Sequence, residues 1–234
     1  MNLARDLQVA ALAYYLRAVR RTSRVTVDHP HTGSGLVTFW HDAMLPLLAA
    51  SVGTKNVAIY VRAQPFLNDS LDLLNYLGVR AFISDQRGTA GIKAARQWLL
   101  EVPGRLLAIT LDMGEPHVAL PGVARLARML GVSLHPLAVT VSRGYRTQRE
   151  HSVVPHLRGQ LSVRVLPAVS EPTLERAALA LQNALLDSTL SEPAPEPSVP
   201  WRKVVEAWPR ACMMPLTRGK LTVWPAKQPT TISF

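Results

Sequence analysis

Leu36-Val37-Thr38-Phe39-Trp40-His41-Asp42 and, further along, Leu106-Leu107-Ala108-Ile109-Thr110-Leu111-Asp112 are the two stretches that decide how this chain is read. Each is an apolar run of strand-forming residues that ends on a polar tip. Each is followed by helix-forming sequence: Ala43 to Val52 behind the first, and Pro121-Gly122-Val123-Ala124-Arg125-Leu126-Ala127-Arg128-Met129-Leu130-Gly131 after a short loop behind the second. A strand that runs into a polar tip just before a helix is where α/β proteins place their chemistry. Of the residues at these two tips only His41 is an imidazole, the side chain suited to taking up a proton near neutral pH.

Outward from these stretches the same alternation continues. The pattern predicts strands at 36–40, 57–62, 79–83, 106–111, 134–141 and 160–166, and helices at 42–52, 68–77, 89–101, 122–131 and 172–188. The strands are continuous leucine-rich and β-branched runs, which suit a sheet covered on both faces. Asn68 or Asp69 can cap one helix and Thr89 another, and Gly78, Gly104 and Gly131 stand where helix gives way to strand. The expected fold is therefore α/β, a mostly parallel central sheet flanked by helices, formed by residues 25–190. Residues 1–24 read as an N-terminal amphipathic helix and 191–234 as a proline-rich linker and C-terminal tail, the latter with three tryptophans between Trp201 and Phe234.

The N-terminal helix has two readings. Leu3, Leu7, Ala10, Ala11, Tyr14 and Ala18 share one helical face, and Arg17, Arg20, Arg21 and Arg24 follow it. That order of apolar residues, tyrosine and arginine suits a helix lying in a membrane interface with its cations at the lipid phosphates. Val9, Leu12 and Leu16 make the helix apolar nearly all round, which suits docking on the domain's own core. Its apolar run is too short to span a bilayer.

Composition narrows the function classes. The chain has 234 residues, 48% of them hydrophobic and 18% charged, with a formal net charge of +10. A basic surface of this kind fits anionic lipid headgroups, nucleic acid or acidic partners. The four Phe, five Trp and five Tyr are not interleaved with the basic residues, which argues against single-strand nucleic-acid binding. One cysteine, Cys212, excludes an internal disulfide. No His, Cys and carboxylate spacing reads as a metal site. No Gly-x-Gly-x-x-Gly or Walker-type loop reads as a nucleotide site, and no Gly-x-Ser-x-Gly elbow as a serine hydrolase. Arg62, Arg87 and Arg143 stand at strand ends or helix starts, where a cation can meet a phosphate. Arg87 is the strongest of the three, because Gly88 and Thr89 open a helix directly behind it.

The ordered series Phe39-Trp40-His41, Leu77-Gly78-Val79-Arg80, Arg87-Gly88, Leu111-Asp112, Pro121-Gly122-Val123 and Pro136-Leu137-Ala138-Val139-Thr140-Val141-Ser142-Arg143 resembles the lysophospholipid acyltransferase-like superfamily. The closest likeness is to its bacterial branch of formerly unknown function, which carries Trp-His after the first strand; the likeness covers roughly residues 20 to 168. The resemblance implies an acyltransferase that moves a fatty acyl group from acyl-CoA or acyl carrier protein to a hydroxyl of a lysophospholipid-like acceptor. It implies His41 as the catalytic base, for which the adjacent Asp42 is the nearest carboxylate and the second catalytic candidate. It implies Arg87, Gly88, Asp112 and Arg143 as substrate-binding residues, to which the strand-end Arg62 is added from its position, and neither a metal nor a bound cofactor. It further implies a cytoplasmic protein, peripheral on the inner face of the cell membrane and partnered by anionic lipid.

The sequence also departs from that pattern. The superfamily places a carboxylate five positions after its histidine, and here that position is Pro46. The family's Asp-Gly-Pro-Arg-Gly-Pro loop is Asp112-Met113-Gly114-Glu115-Pro116-His117, with a carboxylate where the family has a cation. The alternative reading is therefore a catalytically inactive relative that binds lipid or a protein partner. A cationic protein binding nucleic acid through charge alone is a third reading.

Overall fold

All five residues of Gly35–Phe39 are buried, as expected of a strand shielded on both faces, and the rest of the architecture is arranged around it. The computed structural model describes residues 3–29, 33–62, 67–84, 90–112, 117–147, 152–190 and 196–199. In chain order these form α1 (Leu3–Thr22), β1 (Arg24–Asp28), β2 (Gly35–Phe39), a 3-10 turn (His41–Ala43), α2 (Met44–Ser51), β3 (Val57–Arg62), α3 (Leu67–Leu77), β4 (Arg80–Ser84) and α4 (Ala90–Glu101). There follow β5 (Leu106–Thr110), α5 (Gly122–Leu130), β6 (Ser133–Val141), β7 (Gly144–Thr147), β8 (Val153–Pro155), β9 (Gln160–Val165), α6 (Leu174–Leu190) and β10 (Glu196–Val199).

Seven strands form the central sheet in the order β1-β9-β6-β2-β5-β3-β4. Every neighbouring pair is parallel except β6 with β9, so the sheet is mostly parallel, with β1 and β9 running against the other five. From β2 the chain steps outward to β3 and β4, then turns back to β5 and β6. Parallel crossovers are right-handed, so reversing the direction of travel moves the connecting helices to the other face. The core shows this division. Residues of α1, α2 and α3 pack with Val37, Phe39, Ile59 and Ala108 on one face, whereas those of α4, α5 and α6 pack with Leu36, Ala58, Leu107 and Leu134 on the other. The result is a three-layer α/β/α domain.

The docking side of α1 belongs to this core, with Leu16 and Val19 fully buried and the Tyr15 hydroxyl donating to the Pro155 carbonyl at 2.7 Å. Its opposite side stays outside: Leu7 is 62% and Tyr14 39% exposed. An all-round apolar helix thus has one face for the core and a second that remains uncovered. None of the helices among the described residues is long and apolar enough to cross a membrane.

Two glycines are demanded by the backbone. Gly131 closes α5 at φ 69°, its N–H returning to the carbonyls of Ala127 and Arg128, a left-handed cap that favours glycine. At Gly91 in α4, a Cβ would stand 2.0 Å from the Ile83 carbonyl oxygen, so the first turn of α4 can lie against β4 only without a side chain.

Four strands were not anticipated from sequence. β1 is an edge strand, mostly exposed, and lacks the continuous apolar run that marks its buried neighbours. β7 and β8 form a short antiparallel hairpin pair, joined by β10, whose Glu196 and Val199 pair with Tyr145 and Thr147. The proline-rich segment expected to be an extended linker therefore contributes a strand. The tryptophan-containing tail from 201 onward lies outside the described residues.

Candidate functional site

Phe39 is paired in register with Thr110, so the tips of the adjacent parallel strands β2 and β5 leave the sheet side by side, His41 from one and Asp112 from the other. The connection from β2 runs toward β3 on one face, and that from β5 toward β6 on the other. The crevice between two strands whose connections part in this way is where open α/β sheets bind ligands.

Asp112 organises the crevice from beneath. Its buried carboxylate accepts the backbone N–H of His41 at 2.7 Å through Oδ1 and that of His117 at 3.2 Å through Oδ2. A carboxylate placed on two backbone donors forms charge-assisted hydrogen bonds, and here they fasten the loop after β2 to the loop after β5. The Leu111 N–H adds a link between the two strand ends by donating to the Phe39 carbonyl at 2.9 Å, and the Leu120 N–H closes the loop after β5 on the Leu111 carbonyl at 3.2 Å.

His41 opens the 3-10 turn and lies on the wall of a pocket of about 270 Å³. Leu12 of α1, Met44, Leu45 and Leu48 at α2, Ile59 and Val61 of β3, and Leu73 and Leu74 of α3 make most of the lining apolar. Ser70 and Ser152 are the other polar residues on it. The volume lies near the lower end of small-molecule sites, about 300 Å³. An imidazole at the edge of an apolar slot can bring a proton acceptor to the polar end of an otherwise greasy ligand.

Asp42, the adjacent acid, does not orient His41 through a ring hydrogen bond. Its carboxylate Oδ2 lies 3.4 Å from Nε2 of His117, and among the described residues no carboxylate accepts a hydrogen bond from the His41 ring. Successive residues point in different directions, which is why adjacency in sequence did not give contact. Nor does Asp42 cap α2, whose N-cap is Ala43, without a side-chain hydrogen bond. Pro46, in the place of the superfamily's carboxylate, is buried in α2.

The arginines are less closely gathered. Arg62 is the last residue of β3, at the same edge of the sheet as His41. Arg143 is exposed in the turn between β6 and β7, where its carbonyl accepts from His156 N–H at 3.0 Å. Arg87 and Gly88 lie outside the described residues.

His117 is a site residue to which the sequence reading gave no role, naming it only at the end of the altered Asp112 loop. Its ring is tilted 52° against Trp40 with centroids 5.0 Å apart, and its backbone is left-handed at φ 62°. A non-glycine residue in that region is uncommon. The available signal was its place in the altered loop that begins at Asp112. His135, by contrast, is a satisfied core residue: Nδ1 is 3.0 Å from the Leu166 carbonyl and Nε2 2.8 Å from the Ser133 hydroxyl.

Neither a protein-family model nor a curated protein matches the chain. Among solved structures it is similar to the 1-acyl-sn-glycerophosphate acyltransferase PlsC from Thermotoga maritima. The TM-score is 0.47 at 13% sequence identity, over 82% of this chain and 83% of that one.

Proposed function

We propose that this chain is an acyltransferase that moves a fatty acyl group from a carrier thioester, acyl-CoA or acyl carrier protein, to a hydroxyl of a lysophospholipid-like acceptor at a membrane surface. The observation that carries the reading is the apolar pocket with His41 on its wall. An acyl chain lying among Leu45, Leu48, Leu73 and Leu74 leaves its thioester at the polar edge. There the His41 imidazole removes the acceptor's hydroxyl proton, the alkoxide attacks the thioester carbonyl, and the thiolate leaves as the ester forms. Arg62, Arg87 with Gly88, and Arg143 are the proposed headgroup contacts, and Asp112 fixes the loops after β2 and β5. The motif series through Trp40-His41 and Pro121-Gly122-Val123 supports the same chemistry by resemblance.

The membrane part of the proposal rests on α1. Exposed Leu7, Tyr14, Arg17 and Arg21 lie along its outer side, and Leu12 of the same helix lines the pocket. An apolar stripe with arginines suits the inner face of a membrane rich in anionic lipid. Arginine near such a surface contributes about 1 kcal/mol.

The test is acyl transfer itself. The purified chain, given oleoyl-CoA and lysophosphatidate in vesicles with anionic lipid, is expected to form the diacyl product. Binding to those vesicles should weaken with salt and with Leu7→Asp. Among the described residues no carboxylate bonds to the His41 ring, which favours the second reading, a binding protein without turnover. Retention of fatty acid with no product from any of several carriers and acceptors would establish it in place of the first.

A further inference from the structure

His117 holds the turn that carries His41 from three sides. Its ring lies on Trp40, its N–H shares the Asp112 carboxylate with the N–H of His41, and its Nε2 approaches Asp42 at 3.4 Å. Residues 40, 41 and 42 are thus each linked, directly or through one carboxylate, to a single residue of the loop behind β5. Trp40 is itself buried, and its indole belongs to the core on the α4–α5–α6 face. The contact therefore ties the turn to a rigid part of the molecule. The left-handed backbone of His117 belongs to the same construction, since such a conformation persists only where surrounding contacts determine it.

A general base must be held within hydrogen-bond reach of the proton it takes. In the superfamily pattern a carboxylate performs this on the imidazole ring. Here that position is Pro46, and the His41 ring has no such bond among the described residues. We propose that His117 replaces it as a positioning residue: it fixes the backbone on either side of His41 rather than the ring, and so sets where the imidazole stands at the mouth of the acyl pocket. Asp42 is the companion of His117 in this arrangement. The inference rests on the acyl-transfer reading, and it adds to that reading a residue acting through His41.

The test joins kinetics to a measurement that needs no turnover. His117→Ala should lower kcat by roughly 10- to 100-fold, the scale of a small misplacement of a reacting group, with KM for donor and acceptor within about twofold. In a His41→Ala background the same change should cost nothing more, because there is no base left to position. His117→Phe, which keeps a ring on Trp40, and His117→Gln, which keeps a donor for Asp42, should each restore part of the rate. They also serve if the alanine variant does not fold. In the full chain labelled with 13C-histidine, His117→Ala should shift or broaden the His41 ring signals.

A folded His117→Ala chain with kcat within twofold of the parent overturns the proposal. So does a rate loss that multiplies in full onto that of His41→Ala, or a His41 spectrum that the substitution leaves unchanged. If the parent transfers no acyl group, the acyl-transfer reading fails, and the ring signals alone decide whether His117 positions His41.

Discussion

On the α4–α5–α6 face of the sheet, Leu36, Leu107, Leu111, Leu130 and Leu181 are fully buried in a core closed by three helices. On the α1–α2–α3 face, Phe39, Leu16, Val19 and Leu77 are buried as completely, yet beside them the side chains of α1, α2 and α3 leave an apolar opening of about 270 Å³. The strands are the same on both sides; only the alternate residues differ. Close packing is the default for interiors, so an opening kept among the helices of this face is a departure that asks for an occupant. On the proposed function, that occupant is the acyl chain. Trp40 and His41 mark the boundary, the first committed to the α4–α5–α6 core and the second to the wall of the pocket.

The largest expected effect tests that boundary. His41→Ala should lower acyl transfer by about 100- to 10,000-fold, the usual cost of removing a general base, while retention of fatty acid in the pocket stays within a few fold. A similar loss of both would place His41 with the packing residues instead. Next comes stability. Leu181→Ala, fully buried on the α4–α5–α6 face, should cost about 2–5 kcal/mol in denaturant unfolding, the range for a buried leucine truncation. Leu48→Ala, whose side chain already borders the opening, should fall at the lower end of that range. Equal losses would mean that the opening plays no part in how the two faces respond.

Asp112→Asn addresses the joint between the two tips. An amide can accept from one N–H but presents its own donor to the other, so the substitution should cost about 1–3 kcal/mol and reduce transfer together with stability. The smallest effect concerns ligand length. Leu73→Trp should fill part of the opening and shift preference toward shorter acyl chains. Each excluded methylene is worth about 0.8 kcal/mol, or about fourfold in relative kcat/KM. Unchanged chain-length preference with a stable fold would move the acyl chain out of this pocket.

The central strands and the helices between them were legible because burial on both faces writes itself as unbroken apolar runs, as in Leu106 to Leu111. β1 was not legible, because an edge strand with most of its residues exposed carries no such run, and β7, β8 and β10 are only three or four residues long. In the site, His41 and Asp112 could be found because both stand where a strand ends. Their register, Phe39 opposite Thr110, is a long-range pairing that no local pattern reports. The partnership of Asp42 with His117 spans 75 residues, a separation that no local pattern reports either. The N-terminal helix was ambiguous for a different reason: it is apolar on two sides, and only the packed domain shows which one faces inward. Because Leu16 and Val19 are core residues, deleting residues 1–24 would damage the fold, whereas substitutions at Leu7 or Tyr14 address the outer side alone.

The pairing of β1 with β9, from Arg24 opposite Gln160 to Asp28 opposite Arg164, has a consequence for biosynthesis. The segment α1–β1 leaves the ribosome long before its partner strand β9 has been made. At about 5–20 residues per second, the apolar, arginine-rich α1 and the unpaired edge behind it wait on the order of 10 s before β9 emerges. During that interval the nascent chain presents both sides of α1, including the one later sealed by Tyr15, Leu16 and Val19. A ribosome translating this protein therefore displays a sticky, cationic segment, and the order of synthesis gives a chaperone or a nearby bilayer access to it before β9 covers the edge.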